Sequence, residues 1–105
     1  VRGNATMAID EIDAGVGGRT AHLLAEALQR ATAEARQVLV ITHLAQIAAR
    51  ARNHLAVRKT NESGMPVTEV TVLDGRRRRE ELARILGGGD AALEHARSML
   101  EESAE

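Results

Sequence analysis

Two short apolar runs give the strongest strand signals in the chain. Residues 38–42 read VLVIT, which is apolar on both alternating faces, as in a central parallel strand that is covered on both sides. Residues 6–10 read TMAID, a shorter apolar run that ends in an acid. Between them, residues 19–35 carry leucines and alanines at helical spacing. The pattern predicts an α/β unit of strand, helix and parallel strand, with a right-handed crossover.

After this βαβ unit, the apolar pattern changes to that of a hairpin. A short helix is predicted over residues 45–51, and two strands follow over residues 54–59 and 67–73. Turn-forming residues fill positions 61–66 between the two strands. We therefore expect a β-hairpin in the second half of the chain.

Two helices are expected to close the chain, over residues 80–86 and 91–101, with glycines at 87–89 between them. Asp90 is a suitable N-cap for the second helix. Cations are unfavourable in the first turn of a helix, whereas acids are favourable there. We therefore expect the arginines at 76–79 to lie in a loop that approaches the first of these helices.

Composition excludes several classes of function. The formal net charge of −1 argues against a dedicated nucleic-acid module, and the absence of Cys excludes disulfides and thiolate metal sites. No apolar run approaches membrane-spanning length, so we expect a cytoplasmic protein without a membrane partner. The chain has no Phe, Tyr or Trp, which makes a self-sufficient core harder to build. Part of its apolar surface is therefore expected to be covered by other protein.

Candidate chemistry lies where the two predicted strands end. Asp10 and Glu11 follow the first strand, and ligands of open parallel sheets bind beyond the carboxyl ends of strands. One fixed carboxylate can hold Mg²⁺, and its longer neighbour can activate a water for attack on a γ-phosphate. His43 follows the second strand. If the strands are parallel neighbours about 4.8 Å apart, His43 faces the same crevice and can contact that phosphate.

These signals also have ordinary structural explanations. A strand that ends in two acids is more often a solvated turn than a catalytic site, and a histidine at a strand end is usually a surface residue. His22, His54 and His95 are assigned to the surface, because none of them lies beside a carboxylate at a strand end. Spacing alone leaves both the nucleotide site and the solvated turn open.

Longer segments carry a family resemblance. TMAIDEIDAGVGGRTA (6–21) and RQVLVITHLAQIAARA (36–51) resemble the closing part of the ATPase head of the RecN family. RecN proteins are bacterial DNA-repair proteins of the SMC-like branch of the ABC-type ATPases. RREELARILGG (78–88) and EHARSML (94–100) resemble the tail of the same family. The resemblance implies that residues 1–105 are the C-terminal part of an ABC/SMC head with a P-loop NTPase fold.

The resemblance implies a role for each candidate residue. Asp10 corresponds to the Walker B aspartate that holds Mg²⁺, Glu11 to the catalytic base, and His43 to the switch histidine that contacts the γ-phosphate of ATP.

The resemblance also implies that the stretch from Asp13 to Gly18 is the D-loop, which meets a partner head when two heads close on ATP. Its candidate residues are Asp13, Gly15, Gly17 and Gly18. Related SMC heads carry an Asp at the position of Gly17, so chemistry through that carboxylate is not carried over. The glycines suggest instead a loop whose backbone approaches its partner closely.

Two other elements of such a head are absent from the sequence. It contains neither a GxxxxGK[ST] phosphate loop nor a serine-glycine-glycine signature. We therefore expect a fragment that begins between the signature helix and the Walker B strand and is inactive alone. ATPase activity, with ATP and Mg²⁺ as cofactors, would belong to the complete protein. The resemblance implies as partners the rest of the head, a second RecN head and, through the complete protein, nucleoid DNA.

Two other classes of function remain open. The arginines at 76–79 could bind nucleic-acid phosphates, although a solvated approach to a helix suits the near-neutral net charge and the absence of aromatic residues better. The closing helices could instead form an interaction face, although ordinary packing within the chain explains the same spacing. The apolar residues of that face are Leu82, Ile85, Leu86, Leu93, Met99 and Leu100.

Overall fold

The computed structural model describes residues 6–10, 17–34 and 37–104 of the chain. Their order is that of a mixed α/β segment, with a strand–helix–strand unit followed by a hairpin and two helices, as predicted. The elements are β1 (Thr6–Ile9), α1 (Gly18–Ala31), β2 (Gln37–Val40), α2 (Ala45–Ala48), β3 (His54–Glu62), β4 (Met65–Leu73), α3 (Gly75–Ile85) and α4 (Asp90–Ala104). No helix in the described ranges combines the length and the apolar character needed to cross a membrane.

Strands β1 and β2 form a parallel pair. The register aligns Thr6 with Gln37 and Ile9 with Val40, and the Ile41 N–H donates to the Ile9 carbonyl oxygen at 2.9 Å. The predicted parallel pairing is therefore confirmed. The expectation that β2 is covered on both faces is wrong for this chain, because Leu39 is 48% exposed. Val38 and Val40, on the opposite face of β2, are half-buried, so the described residues cover only one face, and that face in part.

Strands β3 and β4 form the predicted hairpin, but its turn is shorter than expected. Asn61 pairs with Pro66 inside the ladder, so the turn consists of Ser63 and Gly64 alone. Both turn residues have positive φ, 55° and 77°, which is the geometry that a two-residue hairpin loop requires. Pro66 is tolerated in the ladder because a two-stranded sheet has edge positions that need no N–H donor.

The two faces of the hairpin differ in burial. Opposite residues in an antiparallel pair lie on the same face. One face carries His54 opposite Leu73, and both are half-buried. The other face carries four exposed aliphatic residues, Leu55, Val57, Val70 and Val72. Apolar surface thus remains uncovered by the described residues, in line with the expectation from composition.

The core lies where α2, α3 and α4 meet. Its buried members are mostly alanines, and they pack around Leu82. Ile85, Leu86, Met99 and Leu100 are partly buried against this cluster. Packing within the chain is therefore confirmed as the role of these apolar residues. Leu93, in contrast, is 36% exposed.

Helix α3 begins earlier than predicted. It starts at Gly75 after the extended residue Asp74, so the arginines at 76–79 occupy its first turns and not an approach loop. Two contacts offset the unfavourable position of these charges. Arg76 pairs with Glu80 one turn later at 3.3 Å, and Arg78 donates hydrogen bonds to another helix. Tertiary contacts therefore override the local preference on which the prediction rested.

Glycines end α3 and begin α4. The Gly87 N–H donates to the Arg84 carbonyl and the Gly88 N–H to the Ala83 carbonyl, which together make a Schellman motif. Gly87 has a φ of 113°, a conformation that favours glycine. The Leu93 N–H then donates to the Gly89 carbonyl. Asp90 is therefore the first residue of α4 and not its N-cap, a position where its charge suits the helix dipole.

Candidate functional site

The parallel pair brings two of the candidate residues to one edge of the sheet. Asp10 is the first residue after β1, and His43 lies three positions after the last residue of β2. Ile9 and Val40 are register partners, so both side chains follow the carboxyl end of the same strand pair. Both residues are exposed. The parallel pairing on which the prediction of a nucleotide site depends is therefore present.

His43 lies in a short turn that is held at both ends. On one side, the Ile41 N–H is bonded to β1. On the other, the Leu44 N–H donates to the Thr42 Oγ1 at 2.9 Å, and the Leu44 carbonyl accepts from the Ala48 N–H of α2 at 3.0 Å. Threonine favours such local side-chain bonds in turns. The position of His43 thus depends on the strand before it and on the helix after it.

The carbonyl end of α2 receives a guanidinium from α3. The Arg78 Nη2 donates to the carbonyl oxygens of Ala48 at 3.0 Å, Ala49 at 3.4 Å and Ala51 at 2.5 Å. Burial of this group lowers the pKa of Arg78 from its ordinary value. The last carbonyls of a helix lack partners within it, and a cation is favourable there. Arg78 therefore caps α2 from a distant part of the chain.

A second arginine, in the turn directly after α2, joins this part of the chain to α1. The Arg50 Nη1 donates to the Gln29 Oε1 at 3.1 Å, and its Nη2 lies 3.9 Å from the Glu26 carboxylate. His22 pairs with the same carboxylate at 3.0 Å. Helix α2 is therefore tied to α1 on one side and to α3 on the other.

Glu11, Asp13 and Gly15 lie outside the described residues. Of the predicted D-loop, only Gly17 and Gly18 are described. Gly17 has a φ of −85° and its carbonyl accepts from the Ala21 N–H at 2.8 Å, which starts α1. A Cβ at Gly17 or Gly18 would meet no atom within 4 Å. Neither the backbone of Gly17 nor the described surroundings of these two positions requires glycine.

Asp10 is compatible with a hard divalent cation. Its carboxylate is exposed directly beyond a strand end, and Mg²⁺ binds through one or two carboxylates while it keeps several waters and phosphate oxygens. The described part of the chain contains no group of three or more histidine and acidic side chains that could hold a metal by themselves.

His54 is the residue that sequence reasoning misplaced. The sequence pattern predicts a surface position for His54, but the residue is half-buried, and its Nδ1 is buried without a hydrogen-bond partner among the described residues. Burial lowers the pKa of His54 below its ordinary value of 6.5, and the charge of Arg78 lowers it further. Glu81 acts in the opposite direction.

His54 should make the stability of the chain depend on pH. The folded protein binds a proton on His54 less readily than the unfolded chain does, so stability is full above pH 6.5 and falls as the pH drops below it. Urea unfolding between pH 8 and pH 5 should show this loss, and His54→Gln should reduce it. The exposed His95→Gln is the matched control and should keep the full pH dependence; an unchanged slope in His54→Gln would contradict the assignment.

The arginines at 76–79 do not form a uniformly basic surface. Arg78 is engaged with α2, and Arg76, with its side chain 79% exposed, is paired with Glu80. Arg76 and Arg79 line an open groove of about 360 Å³ between α3 and α4. Acidic residues share that groove, namely Glu80, Asp90 and Glu94. The mixed charge does not favour the nucleic-acid hypothesis.

These features define a mixed α/β segment whose parallel strand pair leads into an acid and an imidazole at one edge. No protein-family model matches the chain. It is 54% identical over 97 residues to the DNA repair protein RecN of Deinococcus radiodurans, an alignment covering 90% of this chain and 17% of that protein. The RecN proteins of Treponema pallidum and Streptomyces coelicolor are each 43% identical, over 94% and 91% of the chain.

The chain belongs to the RecN family. It spans about a sixth of the length of these curated relatives, 17% or 18% of each.

Proposed function

We propose that the chain supplies the magnesium-binding and water-activating part of the ATP-hydrolysing head of a RecN-type DNA repair protein. The head would have the P-loop NTPase fold of the ABC/SMC type. One observation carries the proposal, which is the in-register parallel pairing of β1 and β2. It sets Asp10 and His43 at the same edge of a sheet, where nucleotides bind in open α/β proteins.

The proposal gives each of the three candidate residues a task. The Asp10 carboxylate would hold Mg²⁺, which would supply positive charge to neutralise the phosphates. The Glu11 carboxylate orients the attacking water and accepts its proton. The His43 imidazole donates a hydrogen bond to an oxygen of the γ-phosphate, so it responds to whether that phosphate is present.

The remaining parts of the site would come from other protein. The rest of the head would supply the backbone cradle for the phosphates, and a second head would meet the D-loop residues Asp13, Gly15, Gly17 and Gly18. DNA would be bound by the complete protein in the cytoplasm, at the nucleoid. The relatives are named as DNA repair proteins, and their greater length leaves room for these parts.

A chimera provides the test of this proposal. In it, the present chain replaces the matching segment of the Deinococcus radiodurans relative, with which it is 54% identical. The chimera should hydrolyse ATP in the presence of Mg²⁺, as measured by phosphate release.

Asp10→Asn should slow this hydrolysis by about 100-fold or more, because a bound metal contributes several kcal/mol of charge stabilisation. It should also raise the Mg²⁺ concentration needed for half-maximal rate. The exposed residue Asp74, before α3, offers the control substitution Asp74→Asn, which should keep the original rate. Equal rates and equal Mg²⁺ dependence in the two variants would remove Asp10 from the site.

A further inference from the structure

Helix α2 cannot hold its own position. It has a single turn, Ala45–Ala48, and isolated helices of this length are unstable in water. Ala45, Ile47 and Ala48 are buried, so the packing of this helix depends on neighbouring elements. Leu44, its N-cap, provides no side-chain hydrogen bond. The place of α2 is therefore set by this packing together with the hydrogen bonds at its two ends.

Arg78 provides the contact at the carbonyl end. Its Nη2 reaches three carbonyl oxygens within and after α2, those of Ala48, Ala49 and Ala51. The same charge is unfavourable in the first turns of α3, and the buried Arg78 Nε has no hydrogen-bond partner among the described residues. Arg78 therefore stabilises the carbonyl end of α2 and does not stabilise α3, the helix in which it lies.

The opposite end of α2 leads directly into the turn that carries His43. Only Leu44 separates His43 from the first residue of the helix. The Leu44 N–H and carbonyl are both hydrogen-bonded, to the Thr42 Oγ1 and to N–H groups of α2. The connection between α2 and His43 is therefore short and held by hydrogen bonds, so a displacement of the helix should also displace the imidazole.

We infer that Arg78 is a positioning residue, which holds His43 at the edge of the parallel pair by fixing the carbonyl end of α2. Its effect on catalysis rests on the role proposed above for His43. A displacement of about 1 Å in a catalytic group can slow an enzyme about 100-fold. Loss of the Arg78 contacts should therefore lower kcat much more than it raises KM.

A double-mutant cycle in the chimera tests the inference. Arg78→Met keeps the apolar stem but removes the donors. It should lower kcat about 10- to 100-fold, because His43 would be displaced from its catalytic position. Arg78→Lys, which retains a cation with three donors, should recover much of the loss. In the His43→Ala background, Arg78→Met should cause no further loss of kcat. Effects that multiply across the two sites would overturn the inference.

Arg77→Met is the matched control for this cycle. Arg77 lies next to Arg78 in the same turn of α3 and is exposed. The substitution is identical and removes the same charge from the helix start. It should leave kcat within about 2-fold, since substitutions of exposed residues that make no buried contact usually have small effects. An equal loss in both variants would point to the charge of α3 and not to the cap on α2.

A second measurement does not depend on hydrolysis. In the 105-residue chain labelled with ¹³C-histidine, the four imidazoles give few signals to assign. Arg78→Met should shift the resonance of His43. It should also shift that of His54, on which the charge of Arg78 acts directly, and should leave that of His95 unchanged. If Arg78→Met fails to fold, Arg78→Lys should give a smaller shift of the same signals. An unmoved His43 signal in a folded variant would overturn the inference.

The two measurements separate the possible failures. If the chimera has no ATPase activity, or if His43→Ala leaves its rate unchanged, the proposed function is contradicted. A shift of the His43 signal would still support the mechanical link between Arg78 and His43. If hydrolysis depends on His43 but neither kcat nor the signal responds to Arg78→Met, only the inference about Arg78 fails.

Discussion

Replacing Glu11 by Gln in the chimera should slow ATP hydrolysis about 10²- to 10⁴-fold, the usual contribution of a positioned general base. The amide has the shape of the carboxylate, so it can still hold the attacking water. It cannot accept the proton at neutral pH, and the water therefore remains a poor nucleophile. Phosphate release under saturating ATP measures the loss.

ATP binding should survive the same change. Glu11 is assigned to the water and not to the phosphates, so equilibrium binding of labelled ATP should stay within about 3-fold of the parent value, less than 1 kcal/mol. With binding intact and hydrolysis blocked, two heads should remain together on ATP, which size-exclusion chromatography can detect. This combination separates a lost base from a site that has simply collapsed.

Glu62→Gln is the control for the change in charge. Glu62 is an exposed residue at the end of β3, beside the hairpin turn. Its replacement should leave hydrolysis, binding and head association unchanged. Undiminished hydrolysis in Glu11→Gln would exclude Glu11 from the mechanism, whereas loss of ATP binding would assign it to the nucleotide or the metal.

The edge that carries Asp10 and His43 could be predicted because its signals are local. Residues 6–10 and 38–42 are short apolar runs, and the helical segment between them is long enough to return the chain for a parallel strand. The structure confirms that pairing. Coverage of both faces could not be predicted from this chain, because the described residues cover one face in part and leave Leu39 on the other exposed.

Arg78 and His54 could not be placed by local rules. The dipole argument put the arginines outside α3, but the carbonyls that bind Arg78 come from residues about 30 positions earlier in the chain. A usable signal existed in the sequence. Arg78 precedes Leu82 by four residues, so a helix extended backwards would bring both to one buried face. The pKa of His54 likewise depends on the charges of Arg78 and Glu81, which belong to α3 and not to the strand that carries the histidine.

The hairpin shows a similar limit. A broad turn over residues 61–66 follows from counting turn formers, and the strands in fact continue to Glu62 and from Met65. The decisive signal is the dipeptide Ser63-Gly64, because serine-glycine pairs mark tight turns. The number of turn-forming residues therefore predicts the bounds of the turn less well than the Ser63-Gly64 pair, whose residues adopt positive φ.

Leu82→Ala should destabilise the folded chain by about 2–5 kcal/mol, the range seen for buried leucines. Leu82 is 0% exposed and is the largest side chain that is fully buried among the described residues. Its buried neighbours in the core are alanines, which cannot extend into the space that the substitution opens. The total stability of a domain of this size is about 5–15 kcal/mol, so the loss is a large part of it.

Urea unfolding followed by far-UV circular dichroism measures this effect, because a chain without aromatic residues gives no useful intrinsic fluorescence. Leu23→Ala on α1 is the matched control, since the same atoms are removed from a residue that is 55% exposed. It should change the unfolding free energy by about 0.5 kcal/mol or less. A loss below about 1 kcal/mol for Leu82→Ala, or equal losses in the two variants, would show that the junction of α2, α3 and α4 is not the core that holds the chain together.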